Sequence, residues 1–256
     1  MIDSTVVVFV HGMYMNGLSW QPWEQFAGER GYTSHAPSWP RHDGEPAALR
    51  RRIEPALGRL TFGQVVDHYK SVLATLPERR VLIGHSVGGL VVQKLVNEGY
   101  GTAGVVISPA PPRGILSLDP HFFRANVPHL NPLAGNRPIA MTPGRFHYAF
   151  ANTLTRADSD ELFQRYAVPE SRNVPRSTVT RQGAIDFGRP HVPMLFVGGD
   201  EDHLTPLSMV RRNARAYRAS HGRLDLTEFT GRSHLICNEP GWEAVAEHAF
   251  DWLRTL

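Results

Sequence analysis

The segment from Arg80 to Gly89 constrains this chain more than any other. Val81, Leu82 and Ile83 form an apolar run of β type, and Gly84-His85-Ser86-Val87-Gly88 follows directly. From Gly89 onward, Leu90, Val91, Val92, Leu95 and Val96 read as a helix. A strand that turns into a helix at one residue holds that residue in a strained conformation. Its side chain then projects clear of the sheet edge. Here that residue is Ser86. Gly84 and Gly88 have no Cβ, so strand and helix can close in around the turn. In this context the G-x-S-x-G pattern marks Ser86 as a candidate nucleophile. The bland alternative is a glycine-rich turn with a spectator serine.

The rest of the chain supplies a matching frame. Residues 5–10 are apolar throughout, as in a strand covered on both faces. A helix is expected over 20–30, with Trp20, Trp23, Phe26 and Ala27 on one face and Gly31 at its end. A strand at 32–38 and a Pro/Gly/charged loop to about residue 47 follow. Then come a helix at 62–76, a strand at 80–85, a helix at 87–98 and a strand at 103–108. Later elements are a strand at 193–198, a helix at 207–220, a strand at 224–230 and a helix at 241–255. Such alternation predicts an α/β fold, a parallel sheet with helices on both faces. The stretch 112–190 breaks it. It is rich in Pro, Arg and aromatic residues, with helical pieces near 119–126, 143–153 and 157–166. It far exceeds an ordinary connection, so it reads as a lid inserted into a core made of 1–111 and 191–256.

Size and composition narrow the function. The 256 residues suit one domain with a large core, and 41% hydrophobic with 20% charged residues is globular usage. A net charge of +3 and scattered arginine clusters (Arg50-Arg51-Arg52, Arg79-Arg80, Arg211-Arg212) suit solvated helix faces and argue against nucleic acid. Cys237 stands alone, so no intrachain disulfide forms. It reads as a core thiol. The first strand starts near Thr5, which leaves no room for a signal peptide, and no apolar run approaches a membrane span. The expectation is a cytoplasmic protein. No His or Cys spacing suits zinc and no phosphate loop appears, so no metal and no cofactor is expected.

A serine nucleophile needs a base within hydrogen-bond reach. Of the 13 histidines, His234 lies directly past the last strand, in a loop returning to the carboxyl edge of the sheet. The loop after the penultimate strand offers Asp200, Glu201 and Asp202 to orient it. Asp202 is preferred from its placement between Gly199 and Pro206. The other two suit loop charge or helix capping. The backbone N–H of Val87, just after the serine, and that of Met13, after His11-Gly12, would form an oxyanion hole. His11 reads as a structural hydrogen-bonding residue. Tyr14, Met15 and His85 are candidates to line a pocket, or equally to pack the loop and core.

Together these residues resemble the α/β-hydrolase superfamily. The likeness covers the His11-Gly12 loop, the Gly84–Gly88 elbow, the Asp202 loop, the His234 loop and the insertion. The serine–acid–histidine order is the one that family shows. The short start before the first strand is similar to the plant methylesterase and hydroxynitrile-lyase branch, which implies about six parallel strands. Lyases of that branch carry threonine where this chain has Gly12 and lysine where it has Leu235, so the resemblance favours hydrolysis. Epoxide hydrolases and haloalkane dehalogenases carry aspartate at the elbow and are disfavoured.

The reading is a carboxylic ester hydrolase acting on a small-molecule ester with an apolar portion. Some of Phe122, Phe123, Phe146, Tyr148, Phe150, Phe163 and Tyr166 would line its pocket, and the others would pack the lid. The same residues would serve a thioesterase, a lactonase or a C–C bond hydrolase. A non-catalytic binding module is the remaining alternative.

Overall fold

A computed structural model describes residues 5–217 and 222–256. The alternation of side chains along the strands decides its layering. In β1 (Val6–Val10), Val6, Val8 and Val10 enter one apolar core while Val7 and Phe9 enter a second. β3 (Arg80–His85) repeats this, with Leu82 on the first side and Val81 and Ile83 on the other. β4 (Ala103–Ile107) and β5 (Met194–Gly199) are likewise buried on both faces. With β2 (Thr33–His35) and β6 (Leu224–Phe229) they form a six-stranded sheet in the order β2-β1-β3-β4-β5-β6, parallel at every pairing. The protein thus has the expected α/β architecture.

Helices cover both faces. α1 (Gln21–Glu29) and α10 (Trp242–Leu253) pack Trp23, Ala27, Val245, Ala249 and Phe250 into the second core. α3 (Phe62–Leu73) and α4 (Val87–Asn97) pack into the first, together with α9 (Leu207–Ala216). α3 starts on a capping box in which Thr61 and Gln64 satisfy each other's backbone N–H. Cys237 is buried in the second core.

Several elements differ from expectation. β2 has only three residues, because its alternating polar side chains at the sheet edge bury little. The loop before residue 62 contains α2 (Pro46–Arg51) and a 3-10 turn (Pro55–Arg59), too short to show a helical period in the sequence. Trp20 closes a 3-10 turn ahead of α1. The predicted helix over 207–220 is α9 to Ala216, and part of that prediction lies outside the described residues.

Between β4 and β5 the chain lays down α5 (Pro120–Leu130), α6 (Pro143–Phe150), α7 (Arg156–Tyr166) and α8 (Asn173–Thr178). Phe146, Phe150, Phe163, Tyr166 and Val174 join the same apolar core as β1 and α3. Arg50 is not a purely solvated charge. Its guanidinium donates to the carbonyls of Phe163, Gln164 and Ala167, satisfying the last turn of α7. Chain order reverses between β1 and β3, and their carboxyl ends flank the place where open α/β sheets bind ligands.

Candidate active site

Register brings the first two loops together. Val10 pairs with Gly84, so the turns that follow each strand lie side by side. A Cβ on Gly12 would sit 2.8 Å from Ser86 Cβ, which only a glycine avoids. Ser86 has φ 56° and ψ −123°, the strained turn that the sequence context requires. A Cβ on Gly88 would lie 2.1 Å from the Val10 carbonyl oxygen, so α4 packs directly on the end of β1. The side chain of Ser86 is thereby fixed at the start of α4.

Three loops then converge. His234 Nε2 lies 2.9 Å from Ser86 Oγ, and His234 Nδ1 lies 2.8 Å from Asp202 Oδ2. A carboxylate only accepts, so Nδ1–H donates to Asp202 and Nε2 is left to accept the serine proton. Histidine and aspartate are both buried. Burial by itself pushes the Asp202 carboxyl up. The facing His234 and the hydrogen bonds from His234 and Thr205 outweigh it and hold the carboxyl below its usual range. The N–H groups of Leu204 and Thr205 donate to Asp202 Oδ1 at 2.8 and 2.7 Å. The Thr205 hydroxyl lies 2.8 Å from Asp202 Oδ2, 3.0 Å from the Ser108 carbonyl and 3.2 Å from His234 Nδ1. Thr205 escapes sequence reasoning, although an Asp followed three residues later by Thr is a turn signal. Hydroxyl, imidazole and carboxylate in series can draw a proton off oxygen as it attacks a carbonyl carbon.

The other loop carboxylates stand apart. Asp200 accepts the Gly231 N–H at 2.7 Å and so shapes the turn before His234. Glu201 engages Asn152 through its carbonyl at 2.9 Å. Val87 opens α4 directly after Ser86, and Met13 lines the same cavity; outside the regular elements no backbone carbonyl among the described residues accepts from either N–H. His11 Nε2 accepts the Trp39 N–H at 2.9 Å, a structural link.

Above Ser86 lies a cavity of about 510 Å³. Met13, Tyr14, Val87, Phe122, Phe123 and Phe150 are among its lining residues, and its surface is almost wholly apolar. Phe150 also meets the His234 ring edge-on at 5.0 Å, and its carbonyl accepts the Leu235 N–H at 2.8 Å. Phe146 and Phe163 stand behind Phe150 in the core instead of facing the cavity. The Tyr14 hydroxyl is hydrogen-bonded to His129 Nε2 at 2.5 Å.

His85 does not line this cavity, contrary to expectation. It stands two residues after Ile83 and so shares that residue's face, on the side of the sheet opposite Leu82. Its Nε2–H donates to the His234 carbonyl at 2.8 Å, behind the catalytic-type histidine. Burial first, then the neighbouring His234, pushes its pKa down to about 3, so it is neutral. Met15 is packed in the core as well. Among the described residues, no three His, Cys, Asp or Glu side chains converge to hold a metal ion. No helix among them is long and apolar enough to cross a membrane.

A model of the alpha/beta hydrolase family matches residues 7–248. The chain belongs to this family. As an alpha/beta hydrolase it is 24% identical over 265 residues to a non-heme chloroperoxidase from Kitasatospora aureofaciens, covering 92% of this chain and 86% of that protein. A monoacylglycerol lipase from Paleococcus ferrophilus superposes with a TM-score of 0.69 at 20% identity, over 97% of this chain and 93% of that one. A methylesterase from Arabidopsis superposes with a TM-score of 0.71 at 14% identity, over 98% of this chain and all of that one (100%). At these identities the two structures speak to the alpha/beta hydrolase fold. The hydrolase's chemistry is argued from its own residues.

Proposed function

We propose that this alpha/beta hydrolase cleaves carboxylic esters through an acyl-enzyme. Ser86 Oγ attacks the ester carbonyl carbon while His234 Nε2 takes its proton. Asp202 keeps the imidazole in the accepting tautomer and stabilises its cationic form. The Met13 and Val87 amides receive the oxyanion. The C–O bond then breaks, and His234 returns the proton to the leaving alcohol. Water, deprotonated by the same imidazole, attacks the acyl-enzyme and frees the acid and Ser86. Residues 112–190 act as a lid, and the apolar cavity beneath takes the apolar portion of the substrate.

The observation that carries this reading is the unbroken Ser86–His234–Asp202 hydrogen-bonded series beneath an apolar cavity. A panel of p-nitrophenyl acyl esters tests it. The wild-type protein hydrolyses them and is labelled by a fluorophosphonate. Ser86→Ala loses labelling and about 10⁴-fold or more in kcat while keeping its far-UV circular dichroism. Retained turnover in that variant overturns the assignment.

A further inference from the structure

Tyr14 follows Met13 and is a non-glycine residue at φ 63°. Such a conformation is strained and persists only when its surroundings enforce it. Here both backbone groups of Tyr14 are held by the segment after α7. The Tyr14 N–H donates to Glu170 Oε2 at 3.3 Å, and its carbonyl accepts the Val168 N–H at 2.9 Å. Glu170 is fully buried, and its other oxygen accepts the Ser171 N–H at 2.6 Å. Its backbone exchanges two hydrogen bonds of 2.8 Å with Ile139, which fixes it from the far side.

The carboxylate faces His42, also buried, whose Nε2 lies 3.3 Å from Glu170 Oε2. Burial alone lowers the His42 pKa, but the Glu170 charge outweighs it and holds the imidazole above its usual range. The His42 carbonyl accepts the Asn16 side-chain N–H at 3.0 Å, which ties the pair to the same loop that carries Met13. A buried ion pair is a poor device for stability, since well-packed apolar residues often serve as well or better. Besides the local Ser171 N–H, the Glu170 carboxylate holds the peptide joining Met13 to Tyr14, which directly follows the Met13 N–H.

We propose that Glu170, paired with His42, is a positioning residue that aligns the Met13 amide with the oxyanion formed at Ser86. The inference rests on the ester-hydrolase reading. The oxyanion exists only in the transition state, so a displaced amide lowers kcat and leaves KM nearly unchanged. Glu170→Gln keeps the volume but sets an amide NH₂ against one of the two backbone N–H donors.

The test measures p-nitrophenyl butyrate turnover by wild-type protein and Glu170→Gln, with active sites counted by fluorophosphonate titration to completion. Only folded enzyme then enters kcat. The expected result is a fall in kcat of about 10- to 100-fold, with KM within about twofold. Affinity for an alkylboronic acid, whose tetrahedral serine adduct presents an oxygen to the same amides, falls by a similar factor. An unchanged kcat per titrated site, with only a lower melting temperature or a raised KM, overturns the proposal. Should Glu170→Gln not fold, His42→Gln leaves the carboxylate and its backbone donors in place and is read the same way. A fall of about tenfold in kcat is expected there, and an unchanged kcat overturns the proposal. A wild-type protein that hydrolyses no ester overturns the underlying reading, and the proposal with it.

Discussion

The rim of the sheet and the inserted segment above it are built by different means. At the rim, backbone meets backbone. Gly12, Gly84 and Gly88 each stand where a Cβ would strike a neighbour within 2.8 Å, and Ser86 and Tyr14 hold positive φ. The inserted segment is held more by side chains, namely the Arg50 fork, the Asn152 amide on Glu201 and aromatic packing around Phe150, with main-chain hydrogen bonds at Val168 and Phe150. It leaves Leu116, Leu118, Leu133 and Val179 well exposed. Proton transfer needs reacting atoms placed to a fraction of an ångström, and close backbone contact supplies that. A cavity that accepts an apolar group needs only volume and hydrophobicity, which many side chains provide.

Four changes break or sharpen this contrast. The largest effect falls on the rim. Asp202→Asn preserves the shape but removes the charge facing His234, and kcat falls by about 10⁴-fold. Steady-state kinetics on active-site-titrated protein checks it, and a fall under tenfold would show that Thr205 alone can orient the imidazole. Next comes Gly88→Ala, whose methyl must meet the Val10 and His11 carbonyl oxygens at 2.1 and 2.4 Å. The cost is about 3 kcal/mol or more, read as a drop in the urea midpoint.

Acid sharpens the comparison further. His11 is held well below its usual value, and His85 and His129 near about 3 and about 4, chiefly by burial. All three are neutral in the folded protein and charge near 6.5 when unfolded. Their contribution is therefore present above pH 6.5 and lost as pH falls, by up to about 1.4 kcal/mol per unit for each. His42 is raised instead, so below 6.5 it is charged in both states and adds no slope. Urea midpoints should fall steadily as pH drops from about 6.5 to 5. His129→Phe, in the inserted segment, should remove about one third of that slope, because the other two histidines lie beneath the rim. The smallest effect belongs to Leu118→Ser, at the cavity mouth and 85% exposed. Stability should move by under about 0.5 kcal/mol. The kcat for short esters should hold while KM for long-chain esters rises.

The same contrast explains what was legible in the sequence. Ser86 follows β3 directly, and Asp202 and His234 lie in the short loops past β5 and β6; strand ends are local signals. The inserted segment announced itself by its length and broken alternation. Its contribution to the cavity was legible in part: Phe122, Phe123 and Phe150 were among the expected lining residues, whereas Val179 joins them only through packing. Glu170 and His42 carry no local sequence signal, since they meet only across distant segments. Thr205 was visible only as a turn residue. For His85, open between pocket and core, strand geometry decides. Side chains alternate along a strand, so the neighbour of an outward serine belongs with Ile83 on the opposite face.

Phe150 belongs to both regions. Its ring roofs the ligand space and shields the imidazole, while its carbonyl pins the loop that carries that imidazole. Exchanging the inserted segment for one from another hydrolase, in order to reshape the cavity, would therefore also release His234 from its anchor. A successful graft must carry over an aromatic residue with its main-chain oxygen in the same place, or keep α6 native and vary only what lies on either side of it.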